Sequence, residues 1–219
     1  MRPALAILFK ELRSEFRTRH AISALLLFVV AAVVLAIFAA GGRPLDEKFG
    51  AGIMWLIFFF AAMTSLGRSF VSEVERGTDL LLRISAPSGG VYFGKLIFNI
   101  LLLAALDIFG AALFLFLGDL PGVAAPVIFW ASIALGSIGL AGAMTLISAI
   151  ISRAGHKNAM LPVLAFPIVF PLLLVSVEAT SYGFASASEN SINALAQVAA
   201  YCGIVIAASW LLFDIVWEE

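Results

Sequence analysis

Residues 21–41 read AISALLLFVVAAVVLAIFAAG, without one charged side chain. An α-helix rises about 1.5 Å per residue, so a stretch of this length crosses the roughly 30 Å hydrocarbon core of a bilayer. Five further apolar runs follow, at residues 52–70, 96–117, 123–151, 159–180 and 192–216. Composition agrees, with 63% of the 219 residues hydrophobic and 12% charged. Soluble domains run at about 45–50% apolar and about 25% charged. The mean hydropathy is +1.09. The fold class that follows is an all-α integral membrane protein with six transmembrane helices, one transmembrane domain over residues 1–219. The spans use nearly all of the length and leave no room for a separate water-soluble catalytic domain. Runs 123–151 and 192–216 exceed one bilayer thickness, so tilt or emergence into water is expected of them.

The segment ahead of the first run is not a span. Leu5, Leu8, Phe9, Leu12 and Phe16 recur at three- and four-residue steps, while Lys10, Arg13 and Arg17 fall on another face. That pattern suits a helix within residues 1–20 lying in the interface, apolar side in lipid and basic side toward anionic headgroups. A soluble amphipathic helix packed on a partner is the alternative. A cleavable signal peptide is not expected, because the run at 21–41 is too long for a typical h-region.

The net charge of −1 says little, but the distribution of basic residues says more. Arg2, Lys10, Arg13, Arg17 and Arg19 precede the first span; Arg68, Arg76, Arg83 and Lys95 surround the second connection; Arg153 and Lys157 lie in the fourth. Only Arg43 and Lys48 fall on the other side. Cytoplasmic loops carry the Lys and Arg excess, which predicts both termini inside the cell.

The second connection reads VSEVERGTDLLLRISAP from Val71 to Pro87. Gly77 can break the outgoing helix, Thr78 is a good N-cap, and Asp79 sits in a first turn where negative charge suits the helix dipole. Leu80, Leu81, Leu82 and Ile84 follow, and Pro87-Ser88-Gly89-Gly90 ends the element. The reading is a short apolar helix of about two turns, within a cytoplasmic loop over residues 71–92. Such a helix is costly to leave in water, so it docks on a partner or lies on the membrane. An ordinary interfacial hairpin is the plainer reading.

These residues resemble the corresponding loop of ABC-2 type transporter permeases: Glu73-Val74-Glu75-Arg76-Gly77-Thr78-Asp79, Leu82, then Pro87 and Lys95. More narrowly, the chain is similar to the cytochrome c maturation protein B family (CcmB, haem exporter protein B). The opening Phe9-Lys10-Glu11-Leu12-Arg13, the start Gly52-Ile53-Met54-Trp55 of the second span and Phe166-Pro167-Ile168-Val169-Phe170-Pro171 of the fifth carry that similarity. The resemblance implies an ABC-2 permease fold with an amphipathic elbow helix before the first span. It makes the loop at 71–92 a coupling helix that fits into an ATPase, with Glu73, Glu75, Gly77, Thr78, Asp79 and Leu82 as the coupling residues. It also implies a bacterial inner-membrane setting and work in haem delivery for cytochrome c biogenesis. ATP would then bind a separate, CcmA-like ATPase subunit, in keeping with the absence of a G-x-x-x-x-G-K-[ST] loop from the sequence. Further implied partners are a haem-handling membrane protein (CcmC-like), a small membrane subunit (CcmD-like), a periplasmic haem chaperone (CcmE-like) and a second copy of this chain. Haem would be cargo of the complex, either exported or released on its loaded chaperone.

Other candidates have plainer readings beside them. His20 and His156 lie at predicted cytoplasmic edges and are poorly placed to hold haem on the outer side. There is no C-x-x-C-H attachment motif. Pro162, Pro167 and Pro171 interrupt the fifth span, which produces either a kink that shapes a lateral cavity or a static bend. Asp107, in the middle of the third span, should face the bundle interior and pair with a polar group, with a transport role as the sharper alternative. Glu178 can reach water. Trp55, Trp130 and Trp217 fit aromatic belts. Cys202 is a small buried thiol. Ser132, Gly136, Gly139 and Ala143 supply small-residue spacing for helix packing, or for a dimer interface. An ABC-2 permease for a lipid, glycan or drug, and a non-transporting scaffold that relays ATPase motion to a haem-handling partner, are the competing functions. A secondary transporter would need internal repeats, which are not evident, and no clustered nucleophile, base or metal set supports an enzyme.

Overall fold

The computed structural model describes residues 2–17, 20–41, 45–118, 122–153, 160–185 and 189–218. Among these there are nine helices and no strand: α1 (Arg2–Arg17), α2 (His20–Ala40), α3 (Glu47–Leu66), α4 (Val71–Glu75), α5 (Asp79–Ser85), α6 (Ser88–Leu117), α7 (Pro126–Arg153), α8 (Met160–Phe184) and α9 (Glu189–Glu218). Helices α2, α3, α6, α7, α8 and α9 are each long and apolar enough to cross a membrane, matching the six predicted runs.

Local signals account for several helix ends. Asp46 caps α3 by accepting from the Phe49 amide at 3.4 Å, and Glu47 follows in the first turn. Pro87 disfavours helical backbone at Ala86, which is extended (φ −149°, ψ 146°), and α5 stops there. Pro87 occupies the N-cap position of α6, so Gly89 and Gly90 belong to the first turn of a 30-residue helix. The predicted span at 96–117 therefore begins two turns late, and the predicted loop 71–92 ends inside α6.

Helix α7 is the centre of the bundle, packed by α3, α6, α8 and α9 and buried along most of its length. Its small residues make room for side chains of this same chain. A Cβ on Gly136 would fall 2.0 Å from the Trp55 ring, and one on Gly139 would fall 2.6 Å from Cys202 Sγ. The stripe is thus used within the chain and is not free for a second copy. Polar rungs cross between spans: Asn99 donates to Thr145 at 2.8 Å, Ser137 donates to Asp107 at 2.6 Å, and Trp55 donates to Thr180 at 2.9 Å. Helix α1 lies against the start of α6, where a Cβ on Gly94 would fall 2.8 Å from Ile7 Cβ and from the Ala4 carbonyl oxygen.

Candidate functional site

The connection between α3 and α6 folds as two short helices at one end of the bundle. Gly77, between them, adopts φ +66°, a left-handed conformation that costs glycine little, and this turns the chain from α4 into α5. The Phe70 amide at the head of α4 donates to Ser148 Oγ of α7 at 3.0 Å. The Phe70 ring packs on Phe213 and Trp217 of α9, with centroids 5.5 and 5.8 Å away. Arg83 of α5 and Arg153 of α7 both lie over the Trp217 ring, at 5.3 and 5.9 Å.

A charge knot fastens this connection to the rest of the chain. Lys95 of α6 is fully buried. Its Nζ donates to Glu11 Oε1 of α1 at 2.8 Å and to the Ser69 carbonyl at 2.9 Å, stands 3.4 Å from Glu73 Oε1 of α4, and lies 4.9 Å from the Phe70 ring centroid. Glu73 in turn accepts from Lys10 of α1 and from the Thr78 hydroxyl. A buried ammonium is tolerated only when its donors are satisfied and an opposite charge is close, and the knot meets both conditions.

The residues that the sequence marks for coupling separate into groups. Glu73 and Thr78 meet in the knot. Thr78 occupies the N-cap position of α5 but does not cap it with its side chain; its hydroxyl serves Glu73 instead. Glu75 stands apart, exposed and paired with Arg68 at 3.0 Å. Gly77 makes the turn and Asp79 opens α5. Leu82 points inward: 6% exposed, it joins Ile7, Phe70, Tyr92 and Phe213 in a buried cluster. The outward face belongs to Leu80, Leu81 and Ile84, exposed by 65%, 69% and 86%. Helix α5 is thus held from inside by Leu82 and by Arg83 over the Trp217 ring, and presents three large apolar side chains outward.

Lys95, Glu11 and Lys10 are the residues whose joint role the sequence reading missed. The available signal was Lys95 itself, a lone cation between Gly94 and Leu96 that looks like the edge of a span only while α6 is taken to begin at 96.

Elsewhere, Asp107 faces the interior as expected, and its polar partner is Ser137. Pro162 falls in the first turn of α8, where a missing amide donor costs nothing, so only Pro167 and Pro171 interrupt the helix. Tyr201 of α9 donates to the Ile168 carbonyl between them. An apolar cavity of about 410 Å³ lies between α3 and α8, with Pro162, Phe166 and Phe170 in its wall. Glu178 is exposed. Trp130 is exposed in the manner of a belt residue, but Trp55 is 1% exposed inside the bundle and Trp217 is stacked on Phe213. Cys202 is buried and donates to the Leu135 carbonyl. His20 opens α2, whereas Arg19, Arg43, His156 and Lys157 lie outside the described residues. No group of three or more His, Cys, Asp or Glu side chains suited to a metal ion occurs among the described residues.

Six spans, a central small-residue helix and a braced pair of short helices at the basic end define a multi-pass helical membrane protein. The sequence model of the family described as CcmB protein matches residues 2–213, and the chain belongs to that family. Membership makes it a membrane permease subunit, with work in transport and cytochrome c biogenesis as part of an ABC transporter-type complex. A search of curated proteins found no match.

Proposed function

We propose that this chain is the permease subunit of an ABC transporter in the bacterial inner membrane, with both termini in the cytoplasm and α5 as the helix that a separate, CcmA-like ATPase grips. Two copies of the chain would meet an ATPase dimer. Nucleotide-driven movement would pass through α5 and the charge knot into α6 and α1, driving haem export or release of the haem-loaded periplasmic chaperone. CcmC-like and CcmD-like membrane proteins would complete the assembly.

The observation that carries this reading is the outward display of Leu80, Leu81 and Ile84 on a helix anchored by Leu82. Apolar side chains exposed in this way at the basic end of the bundle suit burial against a partner. The distribution of Lys and Arg supports the cytoplasmic assignment.

The test is co-purification of the complex with Leu80→Arg and Ile84→Arg together. Retained ATPase should fall about tenfold, the loss expected when two central apolar contacts become charges, while thermal stability of the isolated chain stays unchanged. Undiminished association with undiminished ATPase stimulation overturns the proposal. Labelling of Ile84→Cys by an impermeant thiol reagent should require access from the cytoplasmic side, and labelling from the periplasm alone overturns the orientation.

A further inference from the structure

A cavity of about 440 Å³ opens between α1, α2, the end of α3, α4 and α6 at the basic end of the bundle. A second, apolar groove of about 290 Å³ shares Glu15, Phe98 and Leu102 with it and continues along α6 to Leu106. From Phe98 to Leu106 is about 12 Å along the helix axis. A chamber walled by charged, polar and apolar side chains, joined to an apolar furrow of that length, has the form of an amphiphile site.

The charges of the chamber define the head that it suits. Glu11 is engaged by Lys95, and Glu75 by Arg68. Glu15 and Arg76 remain, one acid and one base on the same wall, neither in an ion pair with another described residue. Burial, and then the neighbouring Glu11 carboxylate, push Glu15 above the usual carboxylate range, while Arg76 draws it back. Asn99, fully buried in the wall, spends its amide donor on Thr145, and its Oδ1 has no partner among the described residues. Glu15 and Arg76 feel one another without closing an ion pair, so a carboxylate and a free amide oxygen are left to suit an N–H cation, and the guanidinium to suit a phosphate.

We infer that this cavity binds a zwitterionic phospholipid with a primary ammonium head, the ammonium at Glu15 and Asn99, the phosphate at Arg76 and an acyl chain in the groove along α6. An anionic headgroup offers no cation to Glu15, and a quaternary headgroup has no N–H to donate. The inference does not depend on α5 meeting an ATPase.

The experiment is native mass spectrometry of the detergent-purified chain after exposure to equal amounts of phosphatidylethanolamine, phosphatidylcholine and phosphatidylglycerol. Phosphatidylethanolamine should be retained about tenfold over either competitor, the ratio given by one charge-assisted hydrogen bond. Glu15→Gln should abolish that preference, whereas Arg76→Gln, which removes the partner of a phosphate that all three lipids carry, should lower retention of all three alike. Equal retention of the three lipids, which marks only a non-selective lipid annulus, overturns the inference, as does a preference unchanged in Glu15→Gln or a retention unchanged in Arg76→Gln. Should either variant fail to fold, selectivity in the unaltered protein decides.

Discussion

Lys95 Nζ lies 2.8 Å from Glu11 Oε1, across 84 residues of sequence, so an ammonium with no access to solvent ties the third span to the first helix of the chain. The same ammonium reaches Glu73 and the Ser69 carbonyl, so α1, α4 and α6 share one electrostatic fastening. Movement of α4 and α5 away from the bundle would have to break it.

Lys95→Ala should therefore be costly. It leaves Glu11 and Glu73 short of a cation in a part-buried setting, for which the loss is about 3–5 kcal/mol. Lys10→Ala removes a half-exposed partner of Glu73 and should cost under about 1 kcal/mol. Thermal unfolding in detergent checks the contrast, and equal losses would show that the knot is not held by its buried member.

Leu82→Arg and Ile84→Arg, two positions apart, should behave oppositely. The first drives a charge into the cluster with Ile7, Tyr92 and Phe213 and should lower stability by about 3 kcal/mol or more. The second alters a solvent-facing side chain and should leave stability within about 0.5 kcal/mol. Thermal unfolding of the isolated chain reads both.

Gly94→Ala should loosen α1 from α6, because the new methyl would meet the Ala4 carbonyl and Ile7 Cβ, neither of which is a flexible side-chain tip. Overpacking of this kind costs about 1–3 kcal/mol. Limited proteolysis should cut the amino-terminal helix sooner in the variant; an unchanged cleavage rate would refute the close approach.

Glu15 gives stability a pH dependence of defined sign. Its folded-state pKa is raised by burial and by Glu11, partly countered by Arg76, so the folded state holds this proton more tightly than the unfolded chain. The contribution is present below the ordinary carboxylate pKa and is lost as pH rises through the raised value. Glu15→Gln should remove that component, so the difference in stability between variant and unaltered protein should grow in favour of Glu15→Gln as pH rises above about 4.5. A pH-independent difference would refute the shift.

Six spans, their order and the short helix after Gly77 could all be read from the sequence, because bilayer crossing depends on the length of apolar runs and helix breaking is local chemistry. The inward placement of Asp107 followed as well, since a carboxyl in hydrocarbon is costly. Tertiary structure alone decided which member of the Leu80-Leu81-Leu82 run turns inward: consecutive helical residues point in different directions, and only the packed neighbours of α5 select one. It also decided that Trp55 lies in a notch left by Gly136 and not in a belt, and that Lys95 joins Glu11 and Glu73. Such pairings arise between residues far apart in the chain, and no local pattern encodes the distance between them before the helices pack.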